Sequence, residues 1–256
     1  MKIKKIVKGL VIFCLLLCML PNTLAQATTK SILGVSTVYT DKVGTIQLAV
    51  FVASEEKIGS GSFELNYDSS ILRIRDVDLT TGDAISSSFM STNASEAGKV
   101  SVAWAGKEGQ SLNGAIINIS AYVLKAGQTA TISFENGALY SIDGSEVAVE
   151  LLDGEVKPFT GETTVNSTKE AANKSWTVTL SGDYNPATLN KYTVLVKNSR
   201  NIAVEVKLEK RTNNSFTVTP ITNYPSGKYT LEITEQLRSV NGSKLNPARK
   251  HEFVIQ

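Results

Sequence analysis

The stretch Ser62-Phe63-Glu64-Leu65-Asn66-Tyr67-Asp68 sets the reading of this chain. Phe63, Leu65 and Tyr67 alternate with Ser62, Glu64 and Asn66. A period of two places three apolar side chains on one face of a strand and three polar ones on the other. Asp68 follows into a turn, where its carboxylate can bond nearby backbone N–H groups. The same pattern returns at 98–106, where Val100, Val102 and Trp104 alternate with Ser101, Ala103 and Ala105 after Gly98-Lys99. Phase puts Trp104 and Tyr67 in a core. Upstream, Ile46, Leu48, Val50 and Val52 alternate with Thr45, Gln47, Ala49 and Phe51.

Further strands are expected at 117–124, 130–134 and 147–152. Turn signals separate them: Gly98-Lys99, Ala126-Gly127, Asp143-Gly144 and Asp153-Gly154. No window from 32 to 157 has the 3.6-residue period of an amphipathic helix, so short strands at near-regular spacing argue for a β-sandwich. Lys157-Pro158-Phe159-Thr160-Gly161 breaks the pattern and reads as a short linker, 158–161. A second strand set follows at 175–180, 192–197, 203–208, 215–220, 228–234 and 252–255, with Thr163 to Val165 as a possible seventh. Six or seven short strands in about 95 residues fit a small Ig-like sandwich. The fold class expected is all-β: residues 28–157 and 162–256 as two sandwiches, each with apolar positions for its own core.

Residues 1–27 read as a secretory signal peptide. Lys2, Lys4, Lys5 and Lys8 precede an apolar run from Gly9 to Leu20, Pro21 breaks the helix, and Ala25-Gln26-Ala27 is a small-x-small cleavage site. The run is too short to span a bilayer comfortably. The chain carries 26 basic and 24 acidic residues, a net +2, and removal of four lysines brings it to −2. No basic surplus remains for nucleic acid. Both cysteines, Cys14 and Cys18, lie in the leader, so the mature chain has no disulfide, thiolate metal site or cysteine nucleophile.

Catalytic chemistry finds few carriers. His251 is the only imidazole and reads as a structural residue at a strand start. One histidine and no mature cysteine fall short of a zinc site, and no Ser–His–Asp set is read around His251. Glu64, Asp68, Asp76 and Asp78 are the acids to consider for a glycosidase, with Asp76 and Asp78 as a same-face pair at a strand end, but their spacing is that of surface acids. Asp143-Gly144-Ser145-Glu146 lacks the repeated pattern of a calcium loop and reads as a hairpin turn. No catalytic residue, metal site or cofactor is expected. Polysaccharide binding needs a row of exposed aromatic rings, whereas Trp104 and Tyr67 are in phase with the core and Tyr39, Tyr122 and Tyr140 are scattered.

Residues 34–157 resemble a cohesin module, the receptor half of the cohesin–dockerin pair. The resemblance is carried by Val43-Gly44-Thr45 to Val52, by Phe63-x-Leu65-x-Tyr67-Asp68 with Ile71-Leu72, by Gly98 to Gly106, by Ala121 to Gly127 and by Asp153-Gly154-Glu155-Val156. The second unit resembles bacterial Ig-like domains of S-layer and envelope proteins, through Trp176 to Ser181, Asn185 to Asn190, Phe216 to Pro220 and Gly227 to Ile233. The cohesin resemblance implies a jelly-roll sandwich, related in architecture to carbohydrate-binding modules, with a flat outer face that receives a dockerin helix. On these strands that face is Ser60, Ser62, Glu64, Ser101, Ala103 and Ala105. Where Ser60 and Ser62 stand, dockerin-binding cohesins tend to carry Asn and Asp. The resemblance further implies a secreted or cell-surface, non-catalytic protein that binds a dockerin-type module, with calcium carried by that partner, or extracellular polysaccharide. The alternative is an envelope spacer.

Overall fold

The computed structural model describes residues 30–85 and 89–256. The signal peptide read at 1–27 lies outside the described residues. The first module contains β1 (Ser31–Val35), β2 (Val38–Tyr39), β3 (Gly44–Tyr67), β4 (Leu72–Arg73), β5 (Leu79–Thr81), β6 (Phe89–Asn93), β7 (Lys99–Val123), β8 (Ala130–Ser141), β9 (Glu146–Val147), β10 (Val149–Leu152) and β11 (Gly154–Lys157). The only helical elements among the described residues are short 3-10 turns, as the strand-only periodicity implies.

β3 and β7 frame this module. They are 24 and 25 residues long, pair antiparallel, and each runs through both layers of the sandwich. Sequence periodicity suggests two strands in each region; the structure joins each pair into one bent strand. Register shifts between Val50 and Phe51, Ala53 and Lys57, and Ile58 and Ser60 supply the bends, because an extra residue on one side of a ladder kinks and twists it. The back layer runs β10–β1–β3–β7, with β4 and β5 along the far side of β7. The front layer runs β2–β11–β8–β3–β7–β6. Leu33, Leu48, Val50 and Val52 meet Phe63, Leu65, Val102, Trp104 and Ile132 in the core between them.

The second module contains β12 (Glu162–Glu170), β13 (Trp176–Thr179), β14 (Val194–Asn198), β15 (Ala203–Val204), β16 (Val206–Thr212), β17 (Ser215–Pro220), β18 (Gly227–Ile233) and β19 (Arg249–Ile255). A five-stranded sheet, β12–β19–β18–β14–β15, packs on a three-stranded one, β13–β17–β16. Val194, Val196, Phe216, Val218, Leu231 and Phe253 fill the space between.

The two modules share an interface that strand alternation alone does not anticipate. Ala49 and Phe51 point away from the first core, yet they are only 4% and 1% exposed. Phe51 forms a separate cluster with Ile32 and Leu152 on the outer side of the back layer, and Tyr192 of the second module stacks on it at 5.0 Å and 12°. Gln236, buried in the loop after β18, acts as a polar clamp. Its Oε1 accepts from the Thr37 N–H at 3.0 Å, and its Nε2 donates to the carbonyls of Val35 and Asp153. Ion pairs Lys157–Glu235, Arg238–Glu150 and Lys191–Asp83 ring the contact. Residues 158–161, read as a linker, are themselves packed. Phe159 meets Tyr39 edge-on at 5.1 Å under the Lys250 ammonium, and a Cβ on Gly161 would lie 2.1 Å from the Ala248 carbonyl oxygen. The second module thus covers the part of the back layer's outer face around Phe51, while Thr45 and Gln47 further along β3 are exposed and the outer face of the front layer stays open.

Candidate partner-binding face

The six residues expected to form a receiving face come together as three cross-strand pairs on the front layer. Ser60 lies opposite Ala105, Ser62 opposite Ala103 and Glu64 opposite Ser101. Ala103 and Ala105 are exposed, and the other four are half-buried by their neighbours on the sheet. Their inward-facing neighbours Phe63, Leu65, Val100, Val102 and Trp104 are buried, so the alternation read from sequence is the alternation of the fold.

Trp104 fixes the flatness of this surface. It is 4% exposed, lies 6.1 Å from the Phe63 ring, and its indole runs beneath Gly61. A Cβ at Gly61 would stand 2.3 Å from the indole edge and 2.9 Å from the Ala138 carbonyl oxygen. Only glycine allows the backbone of β3 to lie directly on the ring. The tryptophan is therefore a pillar under the face, not a platform on it.

Two flanking strands complete the surface and were not legible as part of it. β8 extends to Ser141, beyond the expected end at Phe134, and brings Tyr140, Ala138 and Asn136 opposite Ser60, Ser62 and Glu64. β6 adds Phe89, Ser91 and Asn93 opposite Ala105, Ala103 and Ser101. The residues Phe-Met-Ser-Thr-Asn of β6 carry no clear apolar alternation, which is why periodicity missed an edge strand that buries little. Four strands thus present ordered rows: Phe89–Ala105–Ser60–Tyr140, then Ser91–Ala103–Ser62–Ala138, then Asn93–Ser101–Glu64–Asn136. The last row, together with Ser91, Ala103 and Ser62, lines a shallow depression of about 280 Å³.

Glu64 is the only charged side chain within these rows. Its Oε2 accepts from Asn136 Nδ2 at 2.8 Å and its Oε1 from Ser101 Oγ at 3.4 Å. Among the described residues no cation pairs with it. Lys99, one row further on, is turned to Glu135 at 3.7 Å, and Glu135 also accepts from Asn66.

The remaining acids have structural work. Asp76 and Asp78 are not at a strand end: they sit in one 3-10 turn, Asp76–Asp78, because Asp78 accepts from the Arg75 N–H at 3.0 Å and closes it. Asp76 accepts from the Ala94 N–H. The Arg75 guanidinium holds the Asp78 carboxyl below the usual carboxylate range, and hydrogen bonds from Ser70 do the same for Asp68. Both shifts run opposite to what a general acid needs. Asp143 accepts from the Ser145 N–H in the hairpin between β8 and β9, with Gly144 at φ +85°, as a turn requires.

His251 lies on β19 beside the Trp176 ring at 4.6 Å, with Nδ1 2.9 Å from Thr164 Oγ1 and Nε2 buried without a partner. Burial lowers its pKa from the ordinary 6.5, with Glu170 opposing and Lys174 reinforcing that shift. As pH falls, the unfolded chain takes up this proton before the folded one. The histidine's contribution is therefore complete above about 6.5 and is lost as pH drops through the unfolded value toward the folded one. The second module's unfolding midpoint is expected to fall over that window, and His251→Gln is expected to flatten this part of the pH profile. A profile unchanged by the substitution would remove the histidine from the account. Among the described residues, no group of three or more His, Cys, Asp or Glu side chains is placed to hold a metal ion. No helix among them is long and apolar enough to cross a membrane.

Comparison with known proteins follows this division. Residues 33–157 match the family model described as cohesin domain, and residues 154–254 match the one described as bacterial Ig-like domain. Among solved structures, the chain is similar to a non-cellulosomal cohesin from the hyperthermophilic archaeon Archaeoglobus fulgidus. Identity there is 21% and the TM-score 0.46, over 51% of this chain and 92% of that one. A novel type I cohesin–dockerin complex from Clostridium thermocellum matches at 21% identity and a TM-score of 0.45, over 51% of this chain and 99% of that one. A cohesin module from a Clostridium perfringens family 33 glycoside hydrolase matches at 14% identity and 0.42, over 50% and 98%. No curated protein matches the chain.

Proposed function

From a chain built of a cohesin domain followed by a bacterial Ig-like domain, we propose an exported, non-catalytic binding protein. Its cohesin face receives a dockerin-type helical module at the extracellular side or cell surface. The leader read at 1–27 supports export. The observation that carries the reading is the row Ser91–Ala103–Ser62–Ala138: four adjacent strands present only small side chains at the centre of an open sheet face. A helix lies close on such a surface, and hydrogen-bonding groups at its edge fix the register. Calcium enters with the partner, whose fold it supports. Polysaccharide is the less favoured ligand, because the tryptophan that a sugar platform would need is buried beneath the face.

The test uses calcium-loaded dockerin modules as probes. Ala103→Arg and Ser62→Arg each place a long cation where the helix must approach. Desolvating an unpaired charge costs several kcal/mol, so affinity is expected to fall by about a hundredfold or more. Thr222→Arg, on an exposed loop of the second module, is the control and is expected to change nothing. Equal binding by both face variants, with unfolding midpoints unchanged, places the site on another surface. Depletion of the protein by insoluble polysaccharide, unaffected by either variant, transfers the function to sugar binding.

A further inference from the structure

The receiving face has two unlike ends. At one end Phe89 is 76% exposed beside Ala105 and, across Ser60, the ring of Tyr140. At the other end stands Glu64, held by Asn136 and Ser101 but unpaired with any described cation. Glu135 adds a second carboxylate there against the single ammonium of Lys99, so this end is acidic even before a partner arrives. The small central row between them carries no charge.

Resting on the reading above that this face receives a helical module, we propose that its partner is a helix with a basic residue at one end of the contact and an apolar one at the other. Arg or Lys pairs with Glu64, and the apolar side chain covers Phe89. Phe89 and Glu64 are four residues apart along the strands and two strands apart across them, about 13 Å by about 10 Å at the spacings of a sheet, or about 16 Å on the diagonal. A helix crossing the strands on that diagonal spans the distance in about eleven residues, so the two determinants fall at i and i+11, about three turns apart on its docking side. Small residues between them meet Ala103 and Ser62. Glu64 is suited to the pairing because Asn136 and Ser101 pre-set its carboxylate, so less side-chain freedom is lost on binding than for a free surface acid. Arg makes the better partner, since its planar fork takes both oxygens of one carboxylate.

Calorimetry on the full mature chain tests this, with a panel of calcium-loaded dockerin modules sorted by the residue at the matching helix position: Arg or Lys, uncharged, or Asp or Glu. Basic members are expected to bind, acidic members to fail. Glu64→Gln keeps an oxygen for Asn136 and Ser101 and is expected to weaken basic partners about tenfold or more. It should also reduce the salt dependence of binding. Glu64→Lys is expected to abolish binding of basic members, and the reciprocal Arg→Glu change in the partner should restore it. Phe89→Ser is expected to weaken the same partners irrespective of salt. If acidic or uncharged members bind as well as basic ones while Ala103→Arg abolishes all of them, the face is right and the charge inference is wrong. If Ala103→Arg leaves binding intact, the face itself is wrong. If no basic member binds, the proposed complementarity is overturned.

Discussion

Trp104→Ala is expected to lower the unfolding free energy of the first module by about 3–5 kcal/mol, the range for a large aromatic removed from a packed interior. The indole is 4% exposed and is covered by the Gly61 backbone on one side and by Phe63 on another. Its removal leaves a void directly under the centre of the open front-layer face, so β3 loses the support that keeps Gly61 and Ser62 level with β7. Two readouts separate this from a surface effect. Denaturant unfolding is expected to show a lower midpoint, and Gly61→Ala is expected to destabilise too, because its Cβ would clash with the same ring and with the Ala138 carbonyl. A loss within the roughly half-kcal/mol range of surface substitutions would mean that the ring is not a pillar and would reopen its use as a sugar platform.

The face was legible in the sequence to the extent that it rests on strict alternation. Val100, Val102 and Trp104 inward leave Ser101, Ala103 and Ala105 outward whatever the rest of the fold does, and the same holds for Ser62 and Glu64 beside Phe63 and Leu65. The flanking strands escaped because β6 is an edge strand with one neighbour: Phe89 is exposed and Met90 only half-buried, so no apolar rhythm marks it. The second half of β8 escaped because Glu135-Asn136-Gly137 interrupts the apolar alternation after Phe134, whereas the register shift between Glu64 and Leu65 absorbs it within the ladder. Asp76 and Asp78 were misplaced on a strand because a 3-10 turn closed by side chains, Asp78 to Arg75 and Asp76 to Ala94, leaves no periodic trace. The module interface left a trace that alternation alone does not interpret. Val50-Phe51-Val52 and Ile32-Leu33 are apolar in both phases, which a strand needs when both of its faces are covered.

Phe51→Ala supplies the test of that double coverage, because its effect is expected to depend on the presence of the second module. In the full chain the ring is 1% exposed, stacked on Tyr192 and packed with Ile32 and Leu152. Truncation there is expected to cost about 3–5 kcal/mol, the value for a buried Phe. In the segment 28–157 expressed alone, the ring loses Tyr192 and faces water on that side while it keeps Ile32 and Leu152, and the substitution is expected to cost clearly less than in the full chain. Gln236→Ala attacks the contact from the other side. It strands the Thr37 N–H and the carbonyls of Val35 and Asp153 in a buried setting, and is expected to cost about 2–4 kcal/mol at about 1–3 per unsatisfied group, less whatever water recovers. Both losses are expected to appear as a first-module transition that moves toward that of the isolated segment, since each variant undoes the same docking. A Phe51→Ala penalty of equal size in the full chain and in the segment would mean that the ring belongs to the first module's own core. The second module would then be a spacer attached through 158–161, not a cover on the back layer that leaves one sheet face for a partner.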